Sequence, residues 1–195
     1  MAAESLTFRL ATAEDAVPLE QVINTAFRDD RTTQVFLSAD HAAVDVTDVS
    51  AILAYIARPD AAVLVAAGPD GAPVAHCSVR RHDDTRRCAW FGLLAVDTRL
   101  QGRGLGGRLL AHAEDYARQS LGAARMEFSV VNTRAELIAW YARRGYQPTG
   151  ATEPFPYESH PGWEGLLRGD LHFVVFGKEL GGAAGSTAPK PTSVT

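Results

Sequence analysis

The chain has 195 residues, of which 46% are hydrophobic and 22% charged, a globular composition. Nineteen Lys and Arg stand against 23 Asp and Glu, a net charge of −4. That is not the basic balance of a general nucleic-acid binder, and no stretch approaches the ~18 uninterrupted apolar residues of a membrane helix. Cys77 and Cys88 form no Cx2C pair, which excludes a zinc finger and a disulfide scaffold. Two reduced thiols in a cytoplasmic protein are expected, with a single bridge across a hairpin as the alternative. The first nine residues lack a basic region followed by an apolar stretch, so no secretory leader is expected.

Leu6 to Leu10 reads as a short strand. Thr12 can cap a following helix, with Asp15 near its positive end and an apolar stripe running to about Phe27. Arg28 to Asp40 is polar and carries no pattern. Thr47 to Ala57 reads as a second helix, stopped before Pro59. Ala62 to Ala67 is a buried strand, and Gly68-Pro69-Asp70-Gly71 turns it back into Pro73 to Arg80. His82 to Thr85 turns again, and Arg87 to Val96 forms a long apolar strand. Gly104 to Ser120 is an amphipathic helix, Met126 to Val131 a strand, and Thr133 to Arg144 a helix with Gly145 at its C-cap. Strand, helix, strand with this crossover length is a βαβ unit with a parallel pair. Gly150 to Asp170 reads as one long loop, and Leu171 to Leu180 as the last strand. The expected fold is therefore α/β (α+β). It has a mixed, mostly antiparallel sheet with a central parallel βαβ unit flanked by helices. Residues 1–180 form one domain, and 181–195 a disordered Gly/Ala/Pro/Ser/Thr tail.

The most informative stretch is Leu93 to Gly107, where an apolar strand ends in a glycine-rich turn and a helix begins. Glycines let backbone approach a ligand closely, and a helix start offers unpaired N–H groups to phosphate. Gly102-x-Gly104-x-x-Gly107 satisfies the dinucleotide fingerprint literally. However, a meander precedes it, and the next strand ends in Val131-Asn132 without the acidic residue that would hold a ribose. Glycines serving only a tight turn are a further alternative.

Gln101-x-x-Gly104-x-Gly106 reads differently. With the preceding Leu94-Ala95-Val96-Asp97, the later Asn132, and Trp140-Tyr141-Ala142-Arg143-Arg144-Gly145-Tyr146, the sequence resembles the GNAT superfamily of acyl-CoA-dependent N-acyltransferases over about residues 5–180. The resemblance implies acetyl-CoA as acyl donor substrate and no metal. The backbone of Leu94, Ala95 and Val96 would line the pantetheine arm, with an N–H near Leu94 polarising the thioester carbonyl. Gln101, Gly102, Arg103, Gly104, Leu105 and Gly106 would cradle the pyrophosphate. Asn132 would bond the pantetheine arm, and Tyr141 would protonate the leaving thiolate as general acid. Each residue has a plainer reading. Tyr141 lies in line with Leu137 and Ile138 and could be core, Asn132 could cap the next helix, and Arg103 and Arg108 could be solvated helix-face charges.

The strand before the turn, Arg87 to Leu94, contains no carboxylate, so the base that deprotonates the amine is unassigned. Glu127, Glu153, Glu158, His160 or a water relay are the candidates. Glu153, Glu158 and Trp163 in the long loop would suit a cationic amine through charge pairing and cation–π contact, unless the loop's aromatics only pack on themselves. Arg28 and Arg31 are expected on the opposite wall. A small-molecule amine is the expected acceptor and a peptide stays open. The expected partners include no nucleic acid and no membrane, and a homodimer follows the family's habit. A non-catalytic acyl-CoA-binding or sensing domain is the alternative function.

Overall fold

The structure, a computed structural model, describes residues 6–28, 46–83, 85, 87–157 and 169–181. In chain order the elements are β1 (Thr7–Leu10), α1 (Ala16–Arg28), α2 (Val49–Ile56), β2 (Ala61–Ala67), β3 (Pro73–Asp83), β4 (Cys88–Val96), α3 (Leu105–Gln119), β5 (Arg125–Val131), α4 (Ala135–Ala142), β6 (Gln147–Pro154) and β7 (His172–Glu179). The strands form one sheet in the order β1-β2-β3-β4-β5-β7-β6. β1 to β4 are an antiparallel meander, β4 and β5 are parallel across the α3 crossover, and β7 returns antiparallel between β5 and β6. This is the mixed sheet that the sequence pattern predicts.

Side-chain alternation sends the two faces of the sheet to different helices. Leu64, Cys77, Val79, Phe91, Met126 and Phe128 pack with Leu105, Leu109, Leu110, Ala113 and Ala117 of α3. Val63, Val65 and Ala95 point the other way, under Ala16, Leu19, Ile23 and Ala26 of α1 and Ile52 of α2. Each fully buried Leu or Ile contributes roughly 1.5–3 kcal/mol. The continuous apolar run of β2 is explained by this double coverage, because neither face of the strand meets water.

Several boundaries differ from expectation. The first helix opens with a 3-10 turn, Ala13–Asp15, before α1 begins. There the Asp15 carboxylate accepts from the Thr12 N–H at 2.7 Å and from Arg9 Nη1 and Nη2 at 2.7 and 2.9 Å. The third strand runs on to Asp83, so its turn starts later than His82. Arg134, not Asn132, is the N-cap residue of α4, and the helix is shorter than 133–144. Cys77 and Cys88 are both free and buried, so the bridge alternative is not realised. Burial pushes the Cys88 thiol up to about 11, with the nearby Glu127 charge adding to it.

The largest correction is β6, which the sequence reading runs into a loop. All eight of its residues are exposed, so no apolar alternation marks it. It pairs only with β7, and the pairing shifts register between Pro148 and Thr152. An edge strand tolerates Pro148 and Pro154 because its outer N–H groups need no partner. The loop proper starts at Phe155, which stacks on Phe173 at 5.4 Å, and the Leu171 N–H donates to the Tyr157 hydroxyl at 2.8 Å. The expectations for Arg31, Glu158, His160, Trp163 and the tail from 182 lie outside the described residues.

Candidate active site

Two parallel strands that separate create the site. β4 and β5 pair only over Cys88–Trp90 and Arg125–Glu127. Beyond that point Phe91 to Val96 keep their partners in β3, and Phe128 to Val131 keep theirs in β7. The edges that face each other there carry no ladder, which suits a ligand that inserts as an extended chain. Within this stretch β4 is bulged. His76 pairs with Ala95 and Ser78 with Gly92, so Leu93 and Leu94 together oppose Cys77 alone. Leu93 adopts φ 48° and is 40% exposed. A left-handed conformation costs a leucine roughly 1–2 kcal/mol, so the surrounding structure must hold it.

The glycine turn follows directly. Asp97 accepts from the Arg99 N–H at 3.0 Å and caps the 3-10 turn Thr98–Leu100. Gln101 Nε2 folds back to donate to the Val96 carbonyl at 3.2 Å. Gly102 and Gly104 lie at φ 75° and 80°, which a side chain would strain. The first intrahelical bond runs from the Arg108 N–H to the Gly104 carbonyl at 3.2 Å. The N–H groups of Leu105, Gly106 and Gly107 thus have no acceptor in their own helix and sit at its positive end. Leu105 itself is buried, so its side chain anchors the turn and only its backbone is available.

Arg144 joins this region, and the sequence reading missed it. A Cβ on Gly107 would lie 3.1 Å from Arg144 Nη2, which puts the guanidinium over the first turn of α3. The group lies 3.6 Å from the centroid of the Trp140 ring, and its Nη1 donates to the Trp140 carbonyl at 2.9 Å. The signal available was Trp140 and Arg144 at i, i+4 on a helix whose sequence resemblance already places it here. Arg103 is exposed, while the Arg108 guanidinium sits over the Phe8 ring at 5.0 Å.

Tyr141 is 4% exposed. Its ring packs against Phe128, Phe91, Trp140 and Tyr146, so its body is core. Among the described residues its hydroxyl has no hydrogen-bond partner. Burial pushes the phenol above its ordinary value, against the pull of Arg134 and Arg144, so it stays protonated at neutral pH. Asn132 is occupied differently from the capping alternative. Its Nδ2 donates to the Asp170 carbonyl at 3.1 Å, and its Oδ1 accepts from the His172 N–H at 3.3 Å. The amide therefore ties the end of β5 to the start of β7. The buried hydroxyl of Thr133 beside it has no partner among the described residues.

Of the base candidates, Glu127 is held at 2.6 Å by Arg125 in the paired stretch of β4 and β5, not in the parted one. Glu153 is exposed on β6 and pairs in register with Phe173. Arg28 ends α1. A cavity of about 280 Å³ lined by Arg81, Asp83, Arg87 and Cys88 lies at the start of β4, the opposite end of that strand from the glycine turn. Among the described residues no group of His, Cys, Asp and Glu is placed to hold a metal ion, and no helix is long and apolar enough to cross a membrane.

Residues 22–146 match the model of the Acetyltransferase (GNAT) family. No curated protein matches the chain. Many solved structures do. The PaiA N-acetyltransferase of Thermoplasma acidophilum, solved with coenzyme A, aligns over 90% of this chain and 99% of its own, at 16% identity and TM-score 0.68. The yncA protein of Salmonella typhimurium, solved with acetyl-CoA as its cofactor, aligns over 95% and 99%, at 22% identity and TM-score 0.64. An N-acetyltransferase of Staphylococcus aureus Mu50 aligns over 91% and 99%, at 14% identity and TM-score 0.65. At these identities the structures speak for the shared fold, and the family match spans well over half of the sequence. With the parted strands, the glycine turn and the helix start in register with it, the chain belongs to the GNAT acetyltransferase family.

Proposed function

We propose that this protein transfers an acetyl group from acetyl-CoA to a primary amine, in the cytoplasm, by direct attack of the amine on the thioester. The observation that carries the reading is the parting of β4 and β5 beside the glycine turn. The fit to the donor can be read from the chain's own groups. The backbone of Leu94 to Val96 would pair with the pantetheine arm along the unladdered edge. The N–H groups at the start of α3 would take the pyrophosphate, with Gln101, Gly102, Arg103 and Gly104 forming the loop around it and Arg144 adding positive charge. The unpartnered Thr133 hydroxyl lies at the far side of the same opening. Asn132 would contribute to the donor site through the backbone position it fixes between β5 and β7.

Tyr141 would protonate the departing thiolate. Its phenol is buried, protonated and without a competing acceptor, which is the state a general acid needs. The Leu94 N–H would stabilise charge developing on the carbonyl oxygen. The acceptor would be a small amine entering from the sheet face that carries Glu153, Phe173 and Val131. Its proton would leave through water or one of the carboxylates of the Glu153–Glu158 segment.

The test is calorimetric titration with acetyl-CoA and coenzyme A, with NADH as control, followed by an amine screen reading thiol release. Micromolar binding of acetyl-CoA, none of NADH, and turnover on an amine are expected. Binding without turnover on any amine would instead favour an acyl-CoA sensor. NADH binding would return the glycine turn to the dinucleotide reading.

A further inference from the structure

Four polar or charged side chains are buried among the described residues: Asp15, Asn24, His76 and Ser78. Asp15 is satisfied by Arg9 and Thr12, and Asn24 by the backbone of Val46 and Thr47. The other two lie two residues apart on β3, on one face, and flank the bulge of β4 in register. A polar pair in a strand that is otherwise apolar over Pro73 to Val79 needs a reason, because each buried polar group costs free energy unless it is bonded.

The reason lies in the backbone opposite. The extra residue in β4 breaks the ladder, so the carbonyls of Gly92 and Leu93 lose their regular partners in β3. Ser78 Oγ donates to the Gly92 carbonyl at 3.1 Å. The main chain of Leu93 offers His76 a hydrogen bond, while Nδ1 of the ring has no partner among the described residues. Nε2 is therefore the nitrogen that carries the proton and donates. No peptide bond here is cis. In a trans peptide the carbonyl of one residue and the N–H of the next point in opposite directions. A Leu93 carbonyl drawn toward His76 sends the Leu94 N–H away from β3, to the side where β4 has parted from β5. Leu93 is also the residue with φ 48°, so this peptide is held against its intrinsic preference.

We propose that His76 is a positioning residue of the transfer reaction: with Ser78 it locks the Leu93–Leu94 peptide so that the Leu94 N–H faces the thioester carbonyl. This rests on the acyl-transfer reading above. The role needs a neutral ring, and burial keeps it so, lowering its pKa to about 4.

The test uses acetyl-CoA labelled with 13C at the carbonyl, bound to wild type, His76→Phe and His76→Gln. Affinity is read by calorimetry, and polarisation of the carbonyl by isotope-edited infrared spectroscopy. Wild type should lower the stretching frequency on binding. His76→Phe should bind with affinity close to wild type yet leave the frequency at its free value. His76→Gln, which keeps an N–H of similar reach, should restore most of the shift. Turnover on the amine that wild type accepts should fall about 10²-fold in His76→Phe and recover in His76→Gln. A wild-type frequency shift in His76→Phe overturns the proposal and leaves the acyl-transfer reading standing. Failure of wild type to bind acetyl-CoA overturns both. Should the variants not fold, the 15N spectrum of the wild-type imidazole decides alone. The neutral Nε2–H tautomer is expected at pH 7, and Nδ1–H overturns the proposal.

Discussion

His76 should make the protein acid-sensitive in a window where its carboxylates do not. The ring is 3% exposed, and its pKa falls from 6.5 to about 4, by burial first, with the Leu93 backbone bond pulling the other way. No charged side chain contributes to the shift, so nothing compensates a proton placed there. The folded-state value lies below the unfolded one. The neutral ring's contribution is therefore full above pH 6.5 and is lost progressively as pH falls toward 4. With these two values, linkage removes about 2.5 kcal/mol between pH 7.5 and pH 4.5. That is a large share of the 5–15 kcal/mol typical of a domain. The assay is urea denaturation of wild type and His76→Gln at pH 7.5, 6.5, 5.5 and 4.5. Glutamine does not titrate, so the difference between the two curves isolates the histidine. The wild-type advantage should shrink by about 2–3 kcal/mol across the series, with most of the loss below pH 6. A difference that stays flat would refute the reasoning, since it would mean that the protonated ring is accommodated where the structure shows it enclosed.

Other perturbations separate structural from chemical roles. Tyr141→Phe keeps the aromatic packing and removes a hydroxyl without a partner. Stability should move by less than about 1 kcal/mol, while kcat should fall about 10²-fold; thermal unfolding beside steady-state thiol release checks both. Asp15→Ala removes the acceptor of the Thr12 N–H and of the Arg9 fork and should cost about 2 kcal/mol at pH 7 in chemical denaturation. The Arg9 hydrogen bonds lower the Asp15 pKa first, so this contribution is present above the unfolded value of 3.8 and is lost as pH falls through the lower folded one. Gly104→Ala and Gly122→Ala both place a side chain at positive φ, 80° and 66°, with nothing within 4 Å. Each should cost about 1 kcal/mol of stability, but only Gly104→Ala should weaken acetyl-CoA binding in calorimetry. Equal binding by the two variants would count against the glycine turn as the phosphate site.

Most elements were legible because local periodicity marks them. Leu105, Leu109, Leu110, Ala113 and Ala117 recur at helical spacing, and Gly102 and Gly104 punctuate the turn between strand and helix. The family signatures lie in the same local runs, so the region around Leu94 to Gly106 and Tyr141 could be named from them. β6 was not legible, because an exposed edge strand needs no apolar alternation and tolerates proline. Asn132 beside Thr133 looks locally like a helix cap, and only the return of β7 reveals the backbone groups that claim its amide.

The sequence by itself determined the order of strands and helices, the crossover that makes one pair parallel, and the glycine turn between them. These follow from interactions between residues close along the chain. The tertiary structure alone decided where β4 and β5 part, how Arg144 reaches Gly107, and why His76 and Ser78 are polar in an apolar strand. The bulge at Leu93 exists only as a mismatch between two paired strands, and its orphaned carbonyls call for donors from β3. A pairing register is a non-local quantity, so no window of the sequence contains it.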